Sequence, residues 1–351
     1  MGEILGLGCT HRPLMMGDDA GWTRFLDMVL ADPDLPAAMR DPENWPDEMR
    51  AELGDDHGVT NAGRHRAIMK ANFAEARAAI DDFRPDVVIM WGDDQLENFQ
   101  ADLIPPFAVL AYDDQEIQPW LERRNDKNPW GEPIDYRYTV RGHREAGKYL
   151  ARGLIEAGFD MPYSYEPLHH PMAHAFKNTI LLLDDERRGF DWPVVPFHVN
   201  CYGSRVIAAR GLRLPLALRG KFDDPDPPAP TPQRCMDLGA AVARIMEASP
   251  YRTVLCASSS WSHSFLTEKN WQLWPDVAAD KRLYEALAAG DYAAWRATTP
   301  AMIEESGHQE TLNWFCLAGA MESLGRVPAK TEFVETWAFV SCVVFAHWPT
   351  G

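Results

Sequence analysis

Short apolar runs that end in polar turns alternate with helical segments along most of this chain. Four such runs cover residues 4–8, 87–91, 194–199 and 253–257. Each has the length and β-branched content of a buried strand, and residues 61–83 show helical spacing between the first two. This alternation favours an α/β fold with a mixed central sheet flanked by helices. We expect a single large domain, residues 1–351, with loop and helix insertions.

Several stretches lack the pattern of a strand and are expected to lie outside the sheet. Residues 18–58 and 113–137 are weakly periodic, which predicts short helices and loops that cover the sheet edge or a binding site. Residues 223–232 hold too many prolines for a strand and too much charge for a core, so they predict a surface connector. Residues 277–325 are predicted to be helical, with breaks at two glycines.

Composition excludes several classes of function. The formal net charge is −18 and the pI is near 5.0, so a nucleic acid or an anionic membrane surface would be repelled. The chain has no apolar run long enough to span a membrane and no signal peptide pattern, which predicts a cytoplasmic protein. Its six cysteines are spread singly, without a CxxC pair, which favours reduced thiols over a disulfide framework or cysteine-bound zinc.

Polar residues capable of binding a metal follow three of the predicted strands. His11 follows the first, Asp93 to Gln95 follow the second, and His263 follows the fourth, while Glu310 begins a late helix. Because ligands bind outside the carboxyl ends of strands in open α/β sheets, we expect these turns to converge. Imidazoles and one carboxylate on one face are what a non-haem Fe(II) centre requires. The sequence therefore predicts a metal site.

Five segments occur in a particular order and spacing. They are Gly8-Cys9-Thr10-His11-Arg12-Pro13, residues 85–99, residues 170–178, Ser262-His263 and Glu310-Thr311-Leu312-Asn313-Trp314. Together they resemble the class III extradiol ring-cleavage dioxygenases, the superfamily of the protocatechuate 4,5-dioxygenase catalytic subunit. The resemblance spans nearly the whole chain, although each motif alone is short.

The resemblance implies an oxygenase that cleaves a catechol-type ring next to its hydroxyls. The implied cofactor is non-haem Fe(II), with Mn or Zn as alternatives, and the implied partners are a small aromatic substrate and O₂. Family members also suggest a homo-oligomer. An imidazole suits the proton transfers of such a reaction because its pKa lies near the working pH.

The implied site residues are taken position by position. His11 matches the amino-terminal iron ligand and Glu310 matches the carboxylate ligand. His263, in the Ser-His pair, matches the acid/base. His170 is the nearest match to the histidine that contacts substrate, and His174 competes with it for that role.

One position departs from the family pattern. The second iron-binding histidine belongs to an Asp-His-x-x-x-Phe motif, which reads Asp94 to Phe99 here with Gln95 in place of the histidine. An amide oxygen binds late first-row metals more weakly than an imidazole does. Three outcomes stay open: Gln95 is itself a ligand, another histidine such as His57 or His65 takes its place, or the site holds no iron and the activity is altered.

Two functions from other classes compete with the dioxygenase. One is a metal-dependent hydrolase or lyase on the same scaffold, in which Zn or Mg activates water. The other is a non-catalytic partner subunit with an altered metal sphere. For the dioxygenase, flat apolar side chains near the motifs would suit the walls of a ring-binding pocket. The candidates are Trp91, Phe99, Trp261 and Trp314.

Overall fold

The computed structural model describes residues 2–123, 128–218 and 225–351, and within them it contains ten strands and twelve α-helices. The strands are β1 (Ile4–Cys9), β2 (Val87–Gly92), β3 (Phe107–Leu110), β4 (Gln115–Ile117), β5 (Tyr138–Val140), β6 (Tyr163–Ser164), β7 (Val194–Val199), β8 (Thr253–Ser258), β9 (Lys330–Val334) and β10 (Val343–Trp348). The helices are α1 (Arg24–Leu30), α2 (Asp47–Leu53), α3 (Val59–Phe83), α4 (Pro119–Arg123), α5 (Arg144–Glu156), α6 (His174–Leu183), α7 (Val206–Ala209), α8 (Pro232–Glu247), α9 (Val277–Ala288), α10 (Tyr292–Arg296), α11 (Pro300–Ser306) and α12 (Leu312–Ser323).

Eight strands form one mixed sheet in the order β6-β3-β7-β2-β8-β1-β10-β9. The four strands at its centre, β7, β2, β8 and β1, run parallel to one another. β3 pairs antiparallel with β7 on one side, and β10 and β9 continue antiparallel on the other. The expected α/β fold with a mixed central sheet is confirmed.

Each face of the sheet packs against its own layer of helices. Along β2, Val88 and Met90 join a core with side chains of α3 and α6, whereas Ile89 and Trp91 join a second core with α5, α8 and α12. Successive side chains of a strand point to opposite faces, so a strand covered on both sides must be apolar throughout. This explains why the central strands read as continuous apolar runs.

A close contact fixes α12 against the end of β1. A Cβ at Gly8 would lie only 2.1 Å from Cη2 of Trp314, so the indole packs directly on the glycine backbone. The start of α12 is therefore held beside the exit of β1. This packing brings the segment that contains Glu310 next to the turn that contains His11.

The described parts of the stretches expected outside the main sheet lie outside it. Residues 18–58 form short helical turns together with α1 and α2, while β4 and β5 pair as a separate two-stranded sheet. The predicted connector at residues 223–232 begins outside the described residues, and its described part, residues 225–231, is irregular. None of the helices in the described ranges combines the length and apolar character needed to cross a membrane.

The prediction of reduced thiols agrees with the structure, because all six cysteines are free and buried.

Candidate metal centre

One site residue follows the carboxyl end of each of the four parallel central strands. His11 follows β1, Asp93 follows β2, Tyr202 follows β7 and His263 follows β8. All four side chains are buried. Parallel strands place these exits along a single edge of the sheet, which is where α/β proteins build their sites.

Two imidazoles and one carboxylate form a compact group at this edge. One ligand atom from each of His11, Asp93 and His174 lies within 4.8 Å of the other two. The Nε2 atom of His11 is 3.6 Å from Oδ1 of Asp93. The rings of His11 and His174 meet edge to face, with centroids 4.9 Å apart.

The carboxylate of Glu310 lies beside this group, between the rings of His11 and His263. Its Oε2 atom lies 3.5 Å from Nε2 of His11, and its Oε1 atom lies 3.5 Å from Nε2 of His263. Both separations exceed a normal hydrogen bond, and the buried Oε2 has no hydrogen-bond partner in the structure. A buried carboxylate oxygen without a hydrogen-bond partner is costly, so a cation bound beside it would stabilise it.

The imidazoles of His11 and His174 are both fixed through Nδ1. His11 donates from Nδ1 to the carbonyl oxygen of Ser258 at 3.1 Å, and Nδ1 of His174 is 2.7 Å from Oε2 of Glu97. Metal-binding histidines usually bind a carbonyl or carboxylate through the nitrogen that does not bind the metal. The arrangement leaves Nε2 of each ring as the atom available to a metal.

Tyr202 joins the two buried carboxylates. Its hydroxyl lies 2.8 Å from Oδ2 of Asp93 and 2.8 Å from Oε1 of Glu310. The hydroxyl also accepts a hydrogen bond of 2.9 Å from Nε2 of Gln95. Because a phenol carries one proton, it donates to one carboxylate at a time.

His263 is held by its neighbours on both sides. Its Nδ1 atom donates to the carbonyl oxygen of Trp261 at 2.8 Å, which leaves Nε2 facing Glu310. Behind it, the buried carboxylate of Asp280 accepts from the backbone N–H of Ser262 at 3.0 Å and lies 2.6 Å from Nε2 of His308. Through these contacts with Ser262 and His308, Asp280 links the loop that contains His263 to the loop that precedes Glu310.

The charges of Asp93, Glu310 and His11 shift one another's pKa values. Burial and the charge of Glu310 raise the pKa of Asp93. Burial also opposes ionisation of Glu310, but the positive charges of His263 and His11 outweigh it and lower the pKa of Glu310 to about 2. Burial opposes protonation of His11 as well, yet the charges of Asp93 and Glu310 raise its pKa to about 9. A proton on His11 therefore balances the carboxylates, and a bound divalent cation would displace it.

The group lies at the polar end of a cavity of about 260 Å³. His11, Gln95, His174, His263 and Glu310 all line it. This volume is close to the lower limit of small-molecule sites in proteins. The group is thus buried from bulk water but accessible to a ligand of aromatic size.

The donor set fits a divalent transition metal. Two imidazoles with free Nε2 atoms and a carboxylate with an unpartnered oxygen are the ligand types that non-haem iron takes, with the remaining positions open to ligands. The open side here is the cavity. His11, His174 and Asp93, whose ligand atoms lie within 4.8 Å of one another, would hold the metal, together with Glu310 beside His11.

The structure brings together most of the residues predicted from the sequence, but not all of them. Gln95 lines the cavity, although its amide nitrogen is directed to Tyr202. Nδ1 of His170 accepts from the backbone N–H of Met172 at 3.2 Å, and this residue does not line the cavity. His57 lies at an exposed position, where its Nε2 atom is 2.8 Å from Asp27. His65 pairs with Glu52. Neither His57 nor His65 lies in the cluster.

Sequence reasoning missed two members of the site. Asp93 was noted only as a polar residue after the second predicted strand and was not among the implied ligands, yet its carboxylate lies within the cluster. Tyr202 was not singled out, although it follows the predicted strand at residues 194–199 and could have been found by inspecting that strand's exit. The aromatic walls also differ: the cavity is lined by Phe25 and Phe265, not by the tryptophans and Phe99.

Comparison with known proteins identifies several distant relatives, and these relatives have the same name. A protein from a Rhodococcus species, named 2,3-dihydroxyphenylpropionate/2,3-dihydroxicinnamic acid 1,2-dioxygenase, is 23% identical over 291 residues, which is 75% of this chain and 84% of the relative. A protein of the same name from Photorhabdus laumondii subsp. laumondii is 23% identical over 261 residues, 70% of this chain and 68% of the relative. Another, from Comamonas testosteroni, is 25% identical over 197 residues, 56% of this chain and 49% of the relative. No family model matches the chain.

These similarities do not bear on the narrower likeness to the protocatechuate 4,5-dioxygenase catalytic subunit, which stays a prediction. The shared name of the relatives supports the dioxygenase family for this chain.

Proposed function

We propose that this protein is a non-haem Fe(II) dioxygenase that opens a catechol-type ring next to its hydroxyls. The observation that carries the proposal is the unpartnered oxygen of Glu310 beside Nε2 of His11, at the polar end of an aromatic-sized cavity. The names of the relatives agree with it, since they pair a 2,3-dihydroxylated ring with a 1,2-dioxygenase.

When bound here, Fe(II) would supply coordination sites for the diol and O₂ and a route for electron transfer between them. His11, His174 and Glu310 are proposed to hold it. The role of Gln95 as an additional ligand remains a prediction. Asp93 lies close enough to serve as a second carboxylate or to hold Tyr202 in place.

His263 is proposed to carry protons during the reaction. With Nδ1–H donated to the carbonyl oxygen of Trp261, Nε2 is the ring nitrogen that faces Glu310 and the cavity. That atom can accept a proton from a substrate hydroxyl and return it when the ring opens. Glu310 is 3.5 Å away and stabilises the imidazolium that forms in between.

The apolar part of the cavity suits an aromatic ring. Phe25 and Phe265 stack with centroids 5.1 Å apart and planes within 16° of each other, and both line the cavity. A diol bound at the polar end would extend its ring toward these side chains.

The experiment is anaerobic loading with Fe(II), followed by addition of catechol and O₂ with an oxygen electrode. We expect about one iron per chain and one O₂ consumed per catechol cleaved, as a two-imidazole, one-carboxylate site requires. Zinc content with turnover in the absence of O₂ would replace the proposal with a hydrolase or lyase. Neither metal nor turnover, together with stable binding to a related chain, would indicate a partner subunit.

A further inference from the structure

We propose that the hydroxyl of Tyr202 positions the two carboxylates of the site, so that each of them presents a single oxygen to the metal. This inference rests on the proposed function, because it concerns residues that are proposed to hold iron. Tyr202 is not among the described residues that line the cavity, so it would act through Asp93 and Glu310 and not by touching the substrate. It is therefore a positioning residue.

Each carboxylate divides its two oxygens between Tyr202 and His11. Oδ2 of Asp93 and Oε1 of Glu310 are both 2.8 Å from the hydroxyl oxygen of Tyr202. The other two oxygens, Oδ1 of Asp93 and Oε2 of Glu310, lie 3.6 Å and 3.5 Å from Nε2 of His11. The oxygens that contact Tyr202 are thus separate from those that face the imidazole proposed to bind the metal.

This division matters in a site that must also bind a substrate. A carboxylate can bind a metal through one oxygen or through both, and binding through both fills a further coordination position. Carboxylates that bind metals are commonly held in one orientation by a hydrogen bond from a neighbouring group. Here the contacts with Tyr202 would keep the second oxygen of Glu310 and of Asp93 away from the metal, which leaves positions open for the diol and O₂.

The hydroxyl of Tyr202 is itself held in place. Nε2 of Gln95 donates to it at 2.9 Å, and Tyr202 is buried. The backbone of Gly211 packs against this contact, because a Cβ there would lie 2.5 Å from the hydroxyl oxygen and 2.7 Å from Nε2 of Gln95. The φ of Gly211 is +62°, which also favours glycine. Gln95 therefore contributes to the metal site through Tyr202, a role that does not require Gln95 to bind the metal.

Tyr202→Phe tests the inference, because it removes the hydroxyl and keeps the ring. We expect Fe(II) affinity, measured by anaerobic titration, to fall by about 10-fold or more, the usual effect of losing a group that orients metal ligands. Unchanged or tighter Fe(II) binding in the folded variant would overturn the inference.

The matched control is Tyr138→Phe. The hydroxyl of Tyr138 also donates to a buried carboxylate, at 2.9 Å from Oδ2 of Asp184, but neither residue lines the cavity. This variant loses the same kind of hydrogen bond, so it should lose stability while its Fe(II) affinity stays as in the wild type. Equal losses of affinity in Tyr138→Phe and Tyr202→Phe would indicate a general structural effect and would also overturn the inference.

Binding of a diol tests the orientation of the carboxylates. The probe is 4-nitrocatechol, added anaerobically to protein saturated with Fe(II) and followed by its change in absorbance. We expect Tyr202→Phe to bind it about 10-fold more weakly, because a carboxylate that turns both oxygens to the metal would occupy a position that the diol needs. Binding as tight as in the wild type would contradict the proposed role of the hydroxyl.

A double variant tests the link between Gln95 and Tyr202. Gln95→Ala should weaken Fe(II) binding in the wild type, but by no more than about 2-fold when Tyr202→Phe is already present, because residues that act through one contact are not additive. Equal losses in the two backgrounds would show that Gln95 acts independently of Tyr202 and would overturn this part of the inference.

The wild-type protein separates this inference from the proposed function. If it binds Fe(II) and cleaves catechol but Tyr202→Phe binds Fe(II) equally well, only the inference fails. If it binds Fe(II) without cleaving catechol, the proposed function fails, and the Fe(II) titrations still decide the inference. If it binds no Fe(II), both fail.

Discussion

The two sides of the polar end are built in different ways. On one side, which we call the β1–β8 side, lie His11, His263 and Glu310; on the other, the β2–α6 side, lie Asp93, Gln95 and His174. Both imidazoles of the β1–β8 side donate to backbone carbonyls, those of Ser258 and Trp261. On the β2–α6 side the contacts are between side chains, as with His174 and Glu97 or Gln95 and Tyr202.

This difference explains at which positions a sequence motif can predict the orientation of a side chain. A ring that is held by the backbone of a strand end keeps its orientation as long as the fold is kept. A ring that is held by another side chain depends on a partner far away in the sequence: Glu97 and His174 are 77 positions apart. The β2–α6 side can therefore be rearranged without a change of fold, and this is where the chain departs from the family pattern.

The largest effect is expected on the β1–β8 side, for Glu310→Ala. This change removes the carboxylate whose Oε2 lacks a partner, so Fe(II) affinity should fall by about 100-fold or more, since even residues behind the ligands contribute 10–100-fold. Anaerobic metal titration measures it, and Glu304→Ala on the exposed face of α11 is the matched control. Unaltered affinity in Glu310→Ala would remove Glu310 from the metal site.

The second change on this side separates proton transfer from metal binding. In His263→Ala, we expect catechol turnover to fall by about 100-fold or more, the usual scale of a lost acid/base, while iron content stays as in the wild type. His169→Ala provides the control, because His169 pairs with Asp102 outside the cavity. Wild-type turnover in His263→Ala would exclude the assigned role.

On the β2–α6 side, His174→Ala tests whether the second imidazole comes from α6. Its loss should weaken Fe(II) binding by about 10-fold, less than the loss of Glu310, because Asp93 and Gln95 lie close enough to compensate in part. The comparison is His57→Ala, at the exposed histidine that pairs with Asp27, which should bind iron normally. The opposite pattern would show that His57 and not His174 completes the site.

The smallest effect is expected for Gln95→His, which introduces the histidine expected from the resemblance. If position 95 faces the metal, an imidazole should tighten Fe(II) binding by up to about 10-fold, because imidazole binds late first-row metals better than an amide. The measurement is the same metal titration. Gln95→Ala is the control, because it removes the hydrogen bond to Tyr202 without adding an imidazole. No change in affinity would mean that Gln95 acts only through Tyr202.

Much of the architecture could be predicted from the sequence. The four central strands are buried on both faces, so they stand out as apolar runs, and their polar exits point to His11 and His263. The outer strands were missed for physical reasons. β9 is an edge strand of mostly half-buried residues, and β3 is a four-residue strand that directly follows two prolines.

The arrangement within the site was harder to predict. Sequence shows that Asp93 and Tyr202 follow strands, but not that their side chains meet at 2.8 Å. Likewise, His174 was placed near substrate, and nothing in its spacing from Glu97 indicates the bond that orients it. Such contacts depend on how helices and loops pack across the sheet edge, which a local pattern does not encode.

The most direct test of the central claim is the position of the metal. Crystals soaked with Fe(II) under anaerobic conditions would give an anomalous difference map at the iron edge. The account predicts one strong peak within coordination distance, about 2.0–2.2 Å, of His11 and Glu310, with His174 as the second imidazole. A peak bound by other residues, or none at saturating Fe(II), would contradict it.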